Sequence, residues 1–173
     1  TGRRQIAEAI RAALGVDRAE AERRTLEMLA NVHIRDPGRV ARSYPHELSG
    51  GMGQRVMIAM MMAPEPDLVI ADEPTSALDV TVSIQVLAVL DELIGRRGTA
   101  LLFSSHDLNL VASYCDRIVI MYAGRVMETC RAGDLHEARH PYTRGLLDCL
   151  PEVDAARDAL PVLQRDPAWA EGA

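Results

Sequence analysis

Two carboxylates stand side by side at the end of a short apolar run, Leu68-Val69-Ile70-Ala71-Asp72-Glu73. A continuous run of this kind suits a strand buried on both faces. Such a strand would deliver Asp72 and Glu73 to the C-terminal edge of a parallel sheet, where α/β folds bind ligands. One carboxylate held there can fix Mg2+ in phosphoryl transfer. Its neighbour, facing the other side of the strand, can act as general base on an attacking water. Two solvated acids at a strand end would leave the same sequence.

A second group is Leu48-Ser49-Gly50-Gly51-Met52-Gly53-Gln54-Arg55. Ser49 is a good N-cap for a helix from about Gly50 to Ala63. Glycines at its start leave backbone N–H groups unobstructed, and the partial positive charge of a helix N-terminus suits a phosphate. A flexible loop with a Ser cap is the plain alternative. His106, in Ser104-Ser105-His106-Asp107, follows a second apolar run and could sense or stabilise a γ-phosphate; a lone His in that place could equally be a surface or capping residue.

The elements that must hold these residues are legible from periodicity. Residues 3–14 carry Ile6, Ile10, Ala13 and Leu14 at helical spacing, closed by Gly15. Asp17 and Glu20 open a second helix, with Leu26, Leu29 and Ala30 as its apolar face. Asp36-Pro37-Gly38 reads as a turn, and Pro64 to Asp67 breaks the Ser49 helix. Asp79 can cap a helix from Val80 to Ile94, with Val86, Leu90, Leu93 and Ile94 inward and a turn from Gly95 to Gly98. Thr99 to Phe103 is the second buried strand, followed by a helix near 108–115. Two strands, 117–122 and 125–128, flank Ala123-Gly124, and short helices follow near 134–138 and 142–150. Helices first and alternating strands and helices afterwards predict a parallel α/β layer beside a helical subdomain. The boundaries expected are 1–63 for the helical part, 64–130 for the α/β core and 131–173 for a C-terminal extension with an irregular tail after Pro151.

Composition agrees with a folded chain and narrows its chemistry. The 173 residues are 48% hydrophobic and 3% aromatic, so Leu, Ile, Val, Ala and Met must build the core. The net charge of −6 argues against a dedicated nucleic-acid binder. Lys and Arg together number 19, and every one of them is Arg. Cys115, Cys130 and Cys149 are too few and too irregular for a disulfide framework or zinc pattern, and read as free thiols in a reducing cytoplasm. No apolar run approaches the ~20 residues of a membrane span.

Taken in order, four segments resemble ABC-type ATPases. Leu48-Ser49-Gly50-Gly51 looks like the signature motif, and Leu68 to Glu73 looks like the Walker B strand. Ser76-Ala77-Leu78-Asp79 looks like the D-loop, and His106 stands as the H-loop residue. All four in family order are far more specific than any one alone. The resemblance runs from about residue 3 to 150. Gln54 to Met60, Ala71 to Val82 and His140-Pro141-Tyr142-Thr143-Arg144-Gly145-Leu146-Leu147 resemble the dipeptide, oligopeptide and nickel importers in particular.

The resemblance implies a P-loop NTPase-like ABC ATPase fold, present in part, and a dimer with two nucleotides between its subunits. Ser49, Gly50, Gly51 and Gln54 would face the ATP bound by a second ATPase subunit, in a homo- or heterodimer. Asp72 would hold Mg2+, Glu73 would be the general base, His106 would contact the γ-phosphate, and Asp79 would link the two sites. Transmembrane permease subunits would be the direct partners, and a periplasmic or extracellular solute-binding protein an indirect one. The place implied is the cytoplasmic face of the bacterial inner membrane.

The sequence departs from the family in several ways. It has no G-x-x-x-x-G-K-[ST], and can have none without Lys. No Gln-bearing loop precedes the helical part, Gly53 stands where the subfamily usually carries Arg, and Cys149 alone cannot hold the iron–sulfur cluster of some members. A chain that opens on Thr1 and lacks the phosphate loop is expected to be part of a longer product, inactive alone. A naturally short, non-catalytic partner offering only its signature face is the alternative. An ABC-type ATPase of DNA repair would need a coiled coil or a basic face.

Overall fold

The computed structural model describes residues 2–76, 78–150, 162–163 and 166–170. The chain divides into two compact units, residues 1–104 and 105–173.

The first unit begins with α1 (Gly2–Leu14) and α2 (Arg18–Asn31), joined at Gly15. Ile6 and Ile10 of α1 are buried in the core of this unit. Asp17 accepts the Glu20 N–H at 2.8 Å and so caps α2. The buried face of α2 is Ala21, Thr25, Met28 and Leu29, continued by Val32. Leu26, expected inside, is 41% exposed, and Ala30 is also exposed. The reason is Thr25, whose hydroxyl donates to the Ala21 carbonyl at 2.7 Å. Satisfied within the helix, it packs as an apolar residue and turns the stripe away from Leu26.

Asp36-Pro37-Gly38 proves to be a helix start rather than a turn. Asp36 accepts the Arg39 N–H at 2.9 Å, and Pro37 begins α3 (Pro37–Arg42) with its missing N–H where none is needed. A 3-10 turn over Pro45–Glu47 leads to α4 (Gly50–Met62). Then come β1 (Leu68–Asp72), α5 (Val80–Arg97) and β2 (Ala100–Ser104). The Gly95–Gly98 turn expected is helix as far as Arg97, and α5 stops only at Gly98, whose φ of +68° suits a residue without Cβ. The extra turn places the Arg97 guanidinium 3.1 Å from the Met62 carbonyl, fastening the ends of α4 and α5 together.

β1 and β2 pair in parallel, from Leu68 opposite Ala100 to Asp72 opposite Ser104, as the alternation predicts. The expectation that both faces are buried does not hold. Val69 and Ala71 are 4% and 3% exposed, whereas Ile70 is 63% and Leu102 57% exposed. Val69 and Leu101 join the core that α4 and α5 also line. Among the described residues nothing covers the opposite face, so the apolar run records a strand with two apolar sides, of which one is packed.

The second unit contains α6 (Leu108–Tyr114), β3 (Arg117–Tyr122), β4 (Arg125–Arg131) and α7 (Pro141–Asp148). β3 and β4 form an antiparallel hairpin around Ala123 and Gly124, at φ +49° and +78°. Positive φ at both central residues is the turn that matches strand twist. The helix expected near 134–138 is a 3-10 turn over Ala132–Glu137. The Glu128 carboxylate accepts the N–H groups of Arg139 at 2.8 Å and His140 at 3.3 Å. His140 Nδ1 in turn accepts the Tyr142 N–H at 3.1 Å, opening α7. Tyr142 meets Tyr122 and Trp169 with ring centroids 4.9 and 5.5 Å apart, so the His140-Pro141-Tyr142 motif builds an aromatic cluster in a chain with few aromatics. Most of the tail expected to be irregular after Pro151 lies outside the described residues. No disulfide joins Cys115, Cys130 or Cys149, and burial pushes the Cys115 and Cys130 thiols up. Among the described residues no helix is long and apolar enough to cross a membrane.

Candidate functional site

The start of α4 is built as the Ser-Gly-Gly sequence suggests. Ser49 Oγ accepts the Met52 N–H at 3.4 Å and caps the helix. Gly50 and Gly51 are required by packing as well as by openness. A Cβ on Gly51 would lie 2.6 Å from Val82 Cγ1 of α5, and one on Gly50 3.2 Å from Leu78 Cδ2. The helix start is therefore pressed against Leu78 and the first turn of α5. Asp79 sets that turn by accepting the Val82 N–H at 2.9 Å. Gly53, one turn on, has no such neighbour within 4 Å.

Ser49, Gly50, Gly51 and Asp79 line one pocket of about 600 Å³. Its other walls include Arg35, Arg39 and Arg55, which the sequence reading did not single out. Arg55 Nη1 donates to the carbonyls of Val32 and His33, at 3.2 and 3.3 Å, and so ties α4 to the bend where α2 ends. Of the two acids in the lining, Asp36 and Asp79, each caps a helix. Three guanidinium side chains and a helix N-terminus against two capping carboxylates make a pocket suited to an anion. The signal for the arginines is faint in sequence, because the bend that brings 33–39 beside residue 49 is a tertiary feature.

Asp72 and Glu73 occupy the C-terminal end of β1 and are not part of that lining. Asp72 Oδ1 accepts the Ser104 hydroxyl at 2.8 Å, across the strand pair. Glu73 has φ +46°, a left-handed conformation that costs a residue with a Cβ roughly 1–2 kcal/mol. Its surroundings impose that conformation. The Glu73 N–H donates to the Ser104 carbonyl at 3.0 Å, and its own carbonyl accepts the N–H and hydroxyl of Ser76 at 3.2 and 3.0 Å. Non-glycine residues held in this way cluster at functional sites. The kink carries Glu73 off the strand axis, so it is no longer an alternating strand neighbour of Asp72. Mg2+ takes one or two carboxylates and completes its shell with water and phosphate oxygens, and an exposed Asp72 steadied by Ser104 fits that requirement. Among the described residues no cluster of three or more His, Cys, Asp or Glu could hold a metal by itself.

Gln54, half-buried on α4, turns its amide nitrogen to the carbonyl of Pro74, twenty residues on. His106 lies in the second unit, ahead of α6. Its loop is set by Ser105 Oγ, which accepts the Asp107 N–H at 3.1 Å, and by Asp107, which caps α6 through the Leu110 N–H at 3.0 Å. Ser49, Gly50, Gly51 and Asp79 thus share one pocket of the first unit, and Asp72 and Glu73 stand at the end of β1 outside its lining.

Residues 2–76 match the ABC transporter family. The chain is 52% identical to a probable peptide ABC transporter ATP-binding protein of Sinorhizobium fredii, over 90% of this chain and 47% of that protein. It is 48% identical to a probable D,D-dipeptide transport ATP-binding protein of Escherichia coli, over 92% and 49%. Among solved structures it resembles a dimeric ATP-binding cassette in a post-hydrolysis state bound to ADP and Pi. That likeness has 31% identity and a TM-score of 0.58, over 68% of this chain and 49% of the other. The chain spans about half the length of these relatives, and its fold is a partial ABC ATPase fold.

Proposed function

We propose that this chain, which matches the ABC transporter family and the ATP-binding proteins of peptide importers, supplies two faces of an ATP-hydrolysing dimer. One face is the anion-suited pocket at the start of α4, which receives the terminal phosphates of ATP held by a second ATPase subunit. The other is the end of β1, where Asp72 takes Mg2+ and Glu73 draws a proton from the attacking water. The observation that carries this reading is the separation of the two groups within one unit. Ser49 and Gly51 line one pocket, and Asp72 and Glu73, at the end of β1, are not among its lining residues, which is compatible with two subunits sharing two sites.

The residues act as follows. The α4 N–H groups and the Ser49 hydroxyl bind and orient phosphate oxygens. Mg2+, which Asp72 would hold, would supply charge neutralisation on those oxygens. Glu73 holds the water and accepts its proton at a carboxylate oxygen. His106 contacts the γ-phosphate, and Asp79, at the head of α5, links the paired sites. Loss of the γ-phosphate weakens the contact between subunits and moves an attached permease, at the cytoplasmic face of the inner membrane. Peptides or similar small solutes, delivered by a solute-binding protein, are the cargo.

With no Lys in the sequence, the backbone-and-Lys cradle for the β- and γ-phosphates must come from outside these residues. Equilibrium binding of MgATP to the purified chain tests this: weak binding and no turnover are expected. Turnover that depends on Glu73 in the isolated chain would overturn the proposal.

A further inference from the structure

Gln54 is expected, by resemblance, among the residues that face nucleotide, yet its amide is engaged elsewhere. A carbonyl oxygen can only accept, so the group it meets on Gln54 is the Nε2 donor. That carbonyl belongs to Pro74, a buried residue immediately after Glu73. Left without a donor, a buried carbonyl costs free energy, so this contact is one the loop cannot give up lightly.

Pro74 is the missing tether on a strained residue. The Glu73 N–H is fixed to the Ser104 carbonyl, and the Glu73 carbonyl is fixed by Ser76. These two bonds hold the front and middle of the loop, and Gln54 holds its far side from α4. A left-handed glutamate persists only when its surroundings over-determine it.

We infer that Gln54 is a positioning residue that fixes Glu73 through the Pro74 carbonyl, joining the phosphate-facing helix α4 to the loop of the general base. The inference rests on the proposed role of Glu73. It makes the start of α4 and the base loop one mechanical piece, so that phosphate binding at Ser49 to Gly51 bears directly on where the Glu73 carboxylate sits.

The test uses the ATPase assembly that carries this chain, with three substitutions. Gln54→Glu keeps the shape and Gln54→Met keeps most of the bulk, but neither donates at neutral pH. Gln54→Lys keeps a donor of similar reach. The first two should lower kcat about tenfold with KM for ATP unchanged, because misplaced geometry weakens the transition state alone. Gln54→Lys should stay within about threefold of the parent. A role in packing alone would leave the uncharged Gln54→Met nearest the parent and make both charged variants, Gln54→Glu and Gln54→Lys, worse, and that order would overturn the inference. A rise in KM with kcat unchanged would overturn it in favour of nucleotide contact. Unchanged kinetics in all three would overturn it outright. Glu73→Gln, measured alongside, separates the failures: normal turnover in that variant removes the underlying reading, whereas its loss leaves the Gln54 result to stand or fall alone.

Discussion

The Ser104 hydroxyl donates to Asp72 Oδ1 at 2.8 Å, joining the last residues of β1 and β2. The pair is directly opposite in the parallel register, so the hydrogen bond follows from strand alignment and needs no loop to make it. It fixes one carboxylate oxygen, and in the proposed role of Asp72 the other takes Mg2+. Ser104→Ala should therefore leave the fold intact and raise the Mg2+ concentration needed for half-maximal turnover severalfold, with turnover at saturating Mg2+ within about twofold. A Mg2+ titration of the two proteins checks it, and superimposable curves would show that Ser104 does not steady the metal ligand.

The three glycines of α4 answer to different constraints. Gly51→Ala must push Val82 away from a 2.6 Å contact, which costs about 1–3 kcal/mol as overpacking. Gly50→Ala meets Leu78 at 3.2 Å, where a flexible side-chain end can give way, and the cost is smaller. Gly53 has open space and a helical backbone, so Gly53→Ala should stabilise by about 0.5–1 kcal/mol. Thermal unfolding of the three variants should rank them 53 above 50 above 51. Any other order would mean that the α4–α5 contact is looser than the geometry states.

Much of this was legible in the sequence. Asp17, Ser49 and Asp79 each cap the helix that the sequence places after them, and β1 pairs in parallel with β2. The misses share a physical cause. Thr25 reads as polar but is satisfied by its own helix, so the buried stripe of α2 lies one step from the face that Leu26 and Ala30 suggest. Asp36-Pro37-Gly38 has turn composition, yet Asp and Pro are equally the chemistry of a helix start, and only Arg39 N–H on Asp36 decides between them. Arg35, Arg39 and Arg55 were invisible as a group because they converge only when the bend at His33, with φ +58°, brings two helices together. The strain at Glu73 and the reach of Gln54 to Pro74 carry no local signature at all.

Acid should loosen the second unit through Glu128. Burial raises this carboxyl, but the Arg139 N–H, the Thr143 hydroxyl and the His140 N–H together outweigh it and leave it below its ordinary value of 4.5. A depressed carboxylate stabilises the fold above its ordinary value, and that contribution is lost as pH falls below 4.5 through the folded value. Glu128→Gln should cost about 1 kcal/mol at pH 7, the scale of the hydrogen bonds weakened, and should flatten the acid dependence. Urea unfolding of both proteins between neutral and acid pH measures this. Parallel curves would contradict it.

The most direct test of the whole account is steady-state ATP turnover by the assembled ATPase carrying Glu73→Gln, with nucleotide affinity measured on the same preparation. Turnover should fall by at least about a hundredfold, on the scale of a lost general base, with ATP binding and dimerisation unchanged. Turnover at the parent rate would contradict it, and would leave the kinked glutamate at the end of β1 without the chemistry assigned to it.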